Sequence, residues 1–69
     1  MIELDERGKR CPLPVIALAR AIHDIAVSSE IAVLSDDPAA EHDIPAWCRL
    51  RGHELVSATE GRFVIRRLT

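Results

Sequence analysis

Aromatic residues are nearly absent from this chain: Trp47 and Phe63 are the only two among 69 residues, and there is no tyrosine. That leaves no platform on which the bases of a single strand could stack. Basic balance is missing as well, since the net charge is −2, and binding to a phosphate backbone needs the opposite sign. No apolar run approaches the roughly 20 residues of a membrane-spanning helix. The N-terminal MIELDERGKR is charged where a secretory signal needs an apolar stretch. A cytoplasmic chain with no direct nucleic-acid contact and no membrane association is therefore expected. Internal repeats and low-complexity stretches are also lacking. The length suits one domain, residues 1–69, and no second module. Cysteine is scarce too: Cys11 and Cys48 lie far apart, and in a reducing compartment both are expected to be free thiols.

What is present is an ordered series of elements. Ile2 to Leu4 reads as a short strand, ended by the polar, glycine-containing turn Asp5 to Arg10. Val15, Leu18, Ala19, Ile22, Ile25 and Ala26 recur at the spacing of one helical face, with Arg20, His23 and Asp24 turned away. Pro12 suits the first helical position, where a missing N–H costs nothing. Cys11 is then the expected N-cap residue. Ser28 and Ser29 break the helix, and Ile31 to Leu34 is a continuous apolar run of the kind found in buried strands. Asp36, Asp37 and Pro38 turn the chain. Asp43 ahead of Ile44-Pro45 marks a second helix start, with Ile44, Trp47 and Cys48 on one face and Gly52 closing the helix. Leu55 to Thr59 and Phe63 to Leu68 are strand-like around a tight Glu60-Gly61 turn. The order β-α-β-α-β-β implies an α+β fold: a two-layer α/β sandwich with two helices on one face of a four-stranded mixed sheet.

Cysteine is a poor cap beside Ser, Thr, Asp or Asn, so a thiol at a helix start asks for a chemical reason. Unpaired N–H groups and the positive end of the macrodipole favour an anion there. Arg7, Lys9 and Arg10 add positive charge in the neighbouring sequence. Such surroundings lower a cysteine pKa from about 8.5, and one unit needs only ~1.4 kcal/mol. The expectation is an exposed, nucleophilic thiolate at Cys11. Asp5 and Gly8 would shape the turn that delivers it, and Pro12 and Pro14 would start the helix behind it. Arg7, Lys9, Arg10 and Arg20 border this point and read as a patch for docking an acidic partner surface. Most other arginines read as solvated surface.

Cys48 is expected to be a small buried hydrophobe beside Trp47, in preference to a resolving thiol. His53 is placed at the helix-to-strand turn as a packing or hydrogen-bonding residue, and His23 and His42 at the surface. The cysteines and histidines lack zinc-site spacing. Asp36, Asp37, Glu41 and Asp43 lack the pattern of a calcium loop. No metal and no cofactor are expected, and Asp37 and Asp43 are assigned to turns and caps.

The segment LDERGKRCPLP, with Leu4-Asp5, Gly8 and a Cys-Pro-x-Pro box starting at Cys11, resembles the TusA/SirA-like sulfur-carrier family. SDDPAAEHDIPAWCRLRGHEL is similar to that family's Asp-Pro-Ala, Asp-Ile-Pro and Gly-His segment, so the resemblance spans essentially the whole chain. Lys9, where the family often carries an apolar residue, and Asp36, where threonine is common, depart from the pattern. The resemblance implies a sulfur carrier, a sulfurtransferase acting with partner enzymes. Cys11 would accept sulfane sulfur as a persulfide from a cysteine desulfurase or a rhodanese-type donor. It would pass the sulfur to a downstream acceptor protein, in tRNA 2-thiolation, molybdenum-cofactor assembly or sulfur oxidation. A carrier that exposes its thiol to successive partners is expected to work as a monomer. The residues also admit a second reading, a thiol-based redox-sensing or regulatory binding module that uses Cys11.

Overall fold

In the computed structural model, which describes residues 1–69, the first strand β1 (Ile2–Asp5) pairs in parallel with β2 (Glu30–Leu34). A parallel pair needs a crossover, and it is supplied by helix α1 (Leu13–Ala21) with the 3-10 turn Ile22–Asp24 that continues it. Helix α2 (Ala40–Arg51) follows β2, and the chain ends in the antiparallel hairpin of β3 (Glu54–Thr59) and β4 (Arg62–Arg66). β4 also pairs antiparallel with β2, giving the sheet order β1-β2-β4-β3. The four-stranded mixed sheet and the element order agree with expectation.

Alternation along the strands sets the two faces. Ile31 and Val33 of β2 and Phe63 and Ile65 of β4 join Leu18 and Ile22 of the first helical segment and Ala40, Ile44, Trp47 and Cys48 of α2 in one core. Both helices therefore lie on the same side of the sheet. On the opposite side the paired residues Ala32 and Val64 are also buried, flanked in register by Glu30 opposite Arg66 and Leu34 opposite Arg62. Arg66 bridges Glu30 and Glu54, and Arg62 reaches Glu3. Their long stems suit a face that is charged outside and apolar beneath.

The helix boundaries differ from expectation. α1 stops at Ala21, and Ile22–Asp24 tightens into a 3-10 turn before Ile25 becomes extended, so Ala26 is exposed rather than on the core face. α2 starts three residues before Asp43 and carries Pro45 inside it. At the start of α2 the Ala40 N–H donates to the Asp37 carbonyl and the Asp43 N–H to the Ala39 carbonyl. Gly52 ends α2 at φ 77°, as a left-handed glycine at a helix C-terminus does. The last strand closes at Arg66, short of Leu68; Arg67 instead donates to the Ile25 carbonyl and exchanges backbone bonds with Ser28 and Ser29.

Glu60 and Gly61 both have positive φ, 50° and 77°, the signature of a two-residue type I′ hairpin. A Cβ at Gly61 would stand 2.6 Å from the Ser35 carbonyl oxygen, whereas one at Gly52 would meet open space. Gly61→Ala is therefore expected to lower the urea midpoint clearly more than Gly52→Ala, whose cost should stay near the ~1 kcal/mol of a left-handed alanine. Equal costs would show that the Gly61–Ser35 approach does not constrain the fold.

Candidate functional site

The parallel pairing of β1 with β2 brings the loops that follow them to the same end of the sheet. The Glu6 N–H donates to the Leu34 carbonyl at 2.8 Å, extending the ladder one step past β1. Beyond it, two consecutive aspartates of the β2–α2 loop hold the β1–α1 loop. Asp36 Oδ1 accepts the N–H of Gly8 at 2.9 Å, and Gly8 sits at φ 83°, a conformation that favours glycine. Asp37 Oδ2 accepts the N–H of Cys11 at 2.7 Å, while its Oδ1 accepts the N–H of Ala39 at 2.9 Å. One carboxylate thus ties the cysteine to the start of α2.

Cys11 is not the N-cap residue of α1; Pro12 is, and Leu13 is the first helical residue. The Cys11–Pro12 peptide is cis, and the Leu13 N–H donates to the Arg10 carbonyl at 2.9 Å, so Cys11 occupies a type VI turn just ahead of the helix. This arrangement reduces the free donors at the helix start. Pro12 and Pro14 have no N–H, and that of Leu13 is spent on Arg10. Little remains there to stabilise an anion.

The expected ring of cations is absent as well. Arg7 lies in a bidentate pair with Asp5 at 2.8 Å, and Lys9 reaches the buried Glu6 at 3.3 Å. Arg7 in turn lowers the Asp5 carboxyl to about 2. Arg10 and Arg20 are exposed and form no ion pair. Arg20 borders a shallow groove with Leu13 and Ile16 on the outer side of α1, away from the Asp36-Asp37 loop.

The expectation of an exposed thiolate is overturned. Cys11 is only partly exposed and packs against the rim of the core. Burial, and after it the carboxylate charges of Asp43 and Asp37, push its thiol up to about 11. Asp43 is thus not the cap of α2 but an acidic residue of its first turn, whose charge acts on the Cys11 thiol. Asp37 is held below the usual carboxylate range by the N–H groups of Ala39 and Cys11. Neither aspartate stands out in the sequence as a site residue; the signal that brings them in is the parallel β1·β2 pairing, which makes their loop the neighbour of the Cys11 loop.

An open cleft of about 460 Å³, lined by Gly8, Lys9, Arg10, Asp36, Asp37 and Pro38, adjoins the Cys11 turn and is mainly polar. Such a surface suits a polar side chain from a partner better than an apolar small molecule. Elsewhere Cys48 is buried at 2% exposure, and burial likewise pushes it up to about 11. His53 stacks on Trp47 with ring centroids 5.3 Å apart and accepts the Leu68 N–H through Nδ1. No helix is long and apolar enough to cross a membrane.

Comparison with known proteins adds to this geometry. A family model described as Sulfurtransferase TusA matches residues 2–67. The chain is 41% identical over 64 residues to the sulfur carrier protein TusA of Pseudomonas syringae pv. syringae (strain B728a), covering 90% of this chain and 76% of that one. It is 33% identical over 72 residues to a putative sulfur carrier protein of Archaeoglobus fulgidus, covering 99% of each. The crystal structure of a SirA-like protein from Desulfitobacterium hafniense superposes with a TM-score of 0.71 over 94% of this chain and 92% of that one; at 24% identity the likeness is one of fold.

Two outcomes follow from the site. Asp37→Ala removes the acceptor of two backbone N–H groups and is expected to cost about 1–2 kcal/mol in urea unfolding; Asp36→Ala, whose bond to Gly8 is exposed, should cost less. The folded protein also holds the Cys11 and Cys48 protons more tightly than the unfolded chain. Their contribution to stability is complete below the ordinary thiol value of 9.0 and lost as pH rises through about 11. Urea midpoints should fall across that window, and fall less in Cys11→Ser. An unchanged midpoint across it would overturn the assignment of two raised thiols.

Proposed function

The chain belongs to the TusA sulfurtransferase family, and on that footing we propose that it is a sulfur carrier whose Cys11 holds the sulfur as a persulfide. The observation that carries this reading is the family match over residues 2–67, which includes the Cys-Pro-x-Pro box. The position of Cys11 supports it: a partly exposed thiol on a turn fixed by Asp37, at the end of the molecule where two loops meet. A cysteine desulfurase or a rhodanese-type enzyme supplies the sulfur, and an acceptor protein of a thiolation, cofactor-assembly or sulfur-oxidation route removes it. Arg10 and Arg20, which make no ion pair of their own, are the cations left for docking. Arg7 and Lys9 would first have to leave Asp5 and Glu6. The work belongs in a compartment that keeps thiols reduced.

The rival redox-sensing role draws less support from these residues. A peroxide sensor needs an accessible thiolate and a resolving thiol. Here both thiols are raised to about 11, and Cys48 is in the core.

Incubation with a cysteine desulfurase and cysteine is expected to add the mass of one sulfur atom to Cys11. Cys11→Ser should lose the adduct while keeping its circular dichroism, and Cys48→Ala should still load. An adduct on Cys48, or none with any of several donors, would sink the carrier reading.

A further inference from the structure

At the far end of α1 from Cys11, the last turns of the two helical segments come together around a second cavity. Ala19, Ile22 and His23 line it from the first segment, and Trp47, Arg51 and His53 from the end of α2 and the turn beyond. It encloses about 140 Å³. Nine residues of α1, roughly 13 Å of helix, separate it from the Cys11 turn. Part of its wall is apolar, since Ile22 and Trp47 belong to the core. Arg51 and His23 are exposed, and neither is in an ion pair.

His53 decides what the cavity can hold. Its ring lies against Trp47, and its Nδ1 accepts the Leu68 N–H at 3.2 Å. The proton of the neutral imidazole is then on Nε2, so the one free nitrogen of His53 is a donor. Burial, and after it the charges of Arg67 and His23, hold His53 below the ordinary imidazole value, in keeping with a neutral ring. Nε2 could ligate a metal ion only by passing its proton to Nδ1, where the Leu68 N–H already points. It can donate to an oxygen as it stands. The cavity therefore offers one permanent positive charge, the Arg51 guanidinium, together with an N–H donor and an apolar wall. A monoanion with a short apolar body matches all three, whereas a phosphate dianion would bring a second charge and nothing for the wall.

We propose that this cavity binds a small monocarboxylate, with the carboxylate on Arg51 and His53 and a short apolar chain against Ala19, Ile22 and Trp47. A guanidinium takes a carboxylate through two parallel hydrogen bonds, and Nε2–H adds a third. Cations in a last turn also suit the helix dipole, but Arg49 does that in α2 without lining the cavity. The negative end of the dipole opposes an anion with about half a charge at most. The Cys48 carbonyl there already accepts the N–H groups of Gly52 and His53. The guanidinium prevails, although its exposure to water keeps the affinity modest. Occupancy leaves the Cys11 turn open, so the site is independent of the sulfur-carrier reading.

Trp47 is the only tryptophan of the chain, so its fluorescence reports on this cavity. Butyrate, titrated at neutral pH and constant ionic strength, should change the emission saturably with a dissociation constant of about 1 mM, reasonable for so few atoms. Butylammonium and inorganic phosphate should leave the emission unchanged over the same range. Arg51→Gln should weaken butyrate binding about tenfold or more, the loss of a charge-assisted hydrogen-bonded pair. Arg49→Gln, outside the cavity, should bind as the wild type does, and equal urea midpoints show that both variants are folded. No saturable change with butyrate overturns the site, as does an equal response to butylammonium. Equal weakening in the two arginine variants shows general charge attraction and overturns the part given to the cavity. Phosphate that displaces butyrate at similar concentrations overturns the monocarboxylate assignment. A response to zinc ion without one to butyrate overturns the donor role of His53 and the proposal with it.

Discussion

Parallel pairing of β1 with β2 is the constraint on which the site depends. With Asp5 opposite Leu34, both strands end at the same edge and point the same way. Their following loops have no choice but to meet. The chain uses that meeting twice, through Asp36 to Gly8 and through Asp37 to Cys11, and in both cases a carboxylate receives a backbone N–H. Charged acceptors make the stronger kind of hydrogen bond, and the Cys11 bond is part-buried, where it counts for more. The cysteine loop is held at both Gly8 and Cys11. Below it, α1 and α2 pack on one face of the sheet and fix the distance between the Cys11 turn and Asp43.

Two electrostatic effects compete at the thiol, and magnitude settles which prevails. A helix N-terminus carries at most about half a positive charge, concentrated on its free N–H groups. In α1 two of the first positions are proline and the Leu13 N–H is already bonded, so even that half-charge is diminished. Against it stand partial burial and the negative charges of Asp43 and Asp37. The carboxylates win. The basic residues that look decisive in the linear sequence lose their influence by local pairing: Arg7 with Asp5 two residues back, Lys9 with Glu6 three residues back.

That contrast explains what was legible in the sequence and what was not. Strand and helix identities follow from periodicity and turn residues, which act over a few positions, and the β-α-β-α-β-β order, the Glu60-Gly61 hairpin, the Gly52 stop and the buried Cys48 and Trp47 were all readable on that basis. The start of α2 was misplaced because an interior proline is costly, so Pro45 suggested a start just ahead of it, whereas the helix begins at Ala40 behind the Asp37 turn. The environment of Cys11 was misread for a different reason. Its determinants lie 26 residues away at Asp37 and further on at Asp43. Those contacts depend on the fold as a whole, and nothing in the spacing of the residues announces them.

The second thiol shows how the rest of the fold serves the first. The persulfide proposed for Cys11 would be open to attack by any nearby thiolate, which would form a disulfide and expel the sulfur as hydrosulfide. Cys48 is on α2, the same helix that carries Asp43, and so is the nearest protein thiol to be kept in check. It is 2% exposed within the cluster that includes Leu18, Ile44 and Trp47, and burial pushes it up to about 11. On that helix Asp43 is exposed while Ile44, Trp47 and Cys48 are buried, so the second thiol is withheld in the core. On the carrier reading, keeping the sulfur would then depend on the core as much as on the cysteine itself.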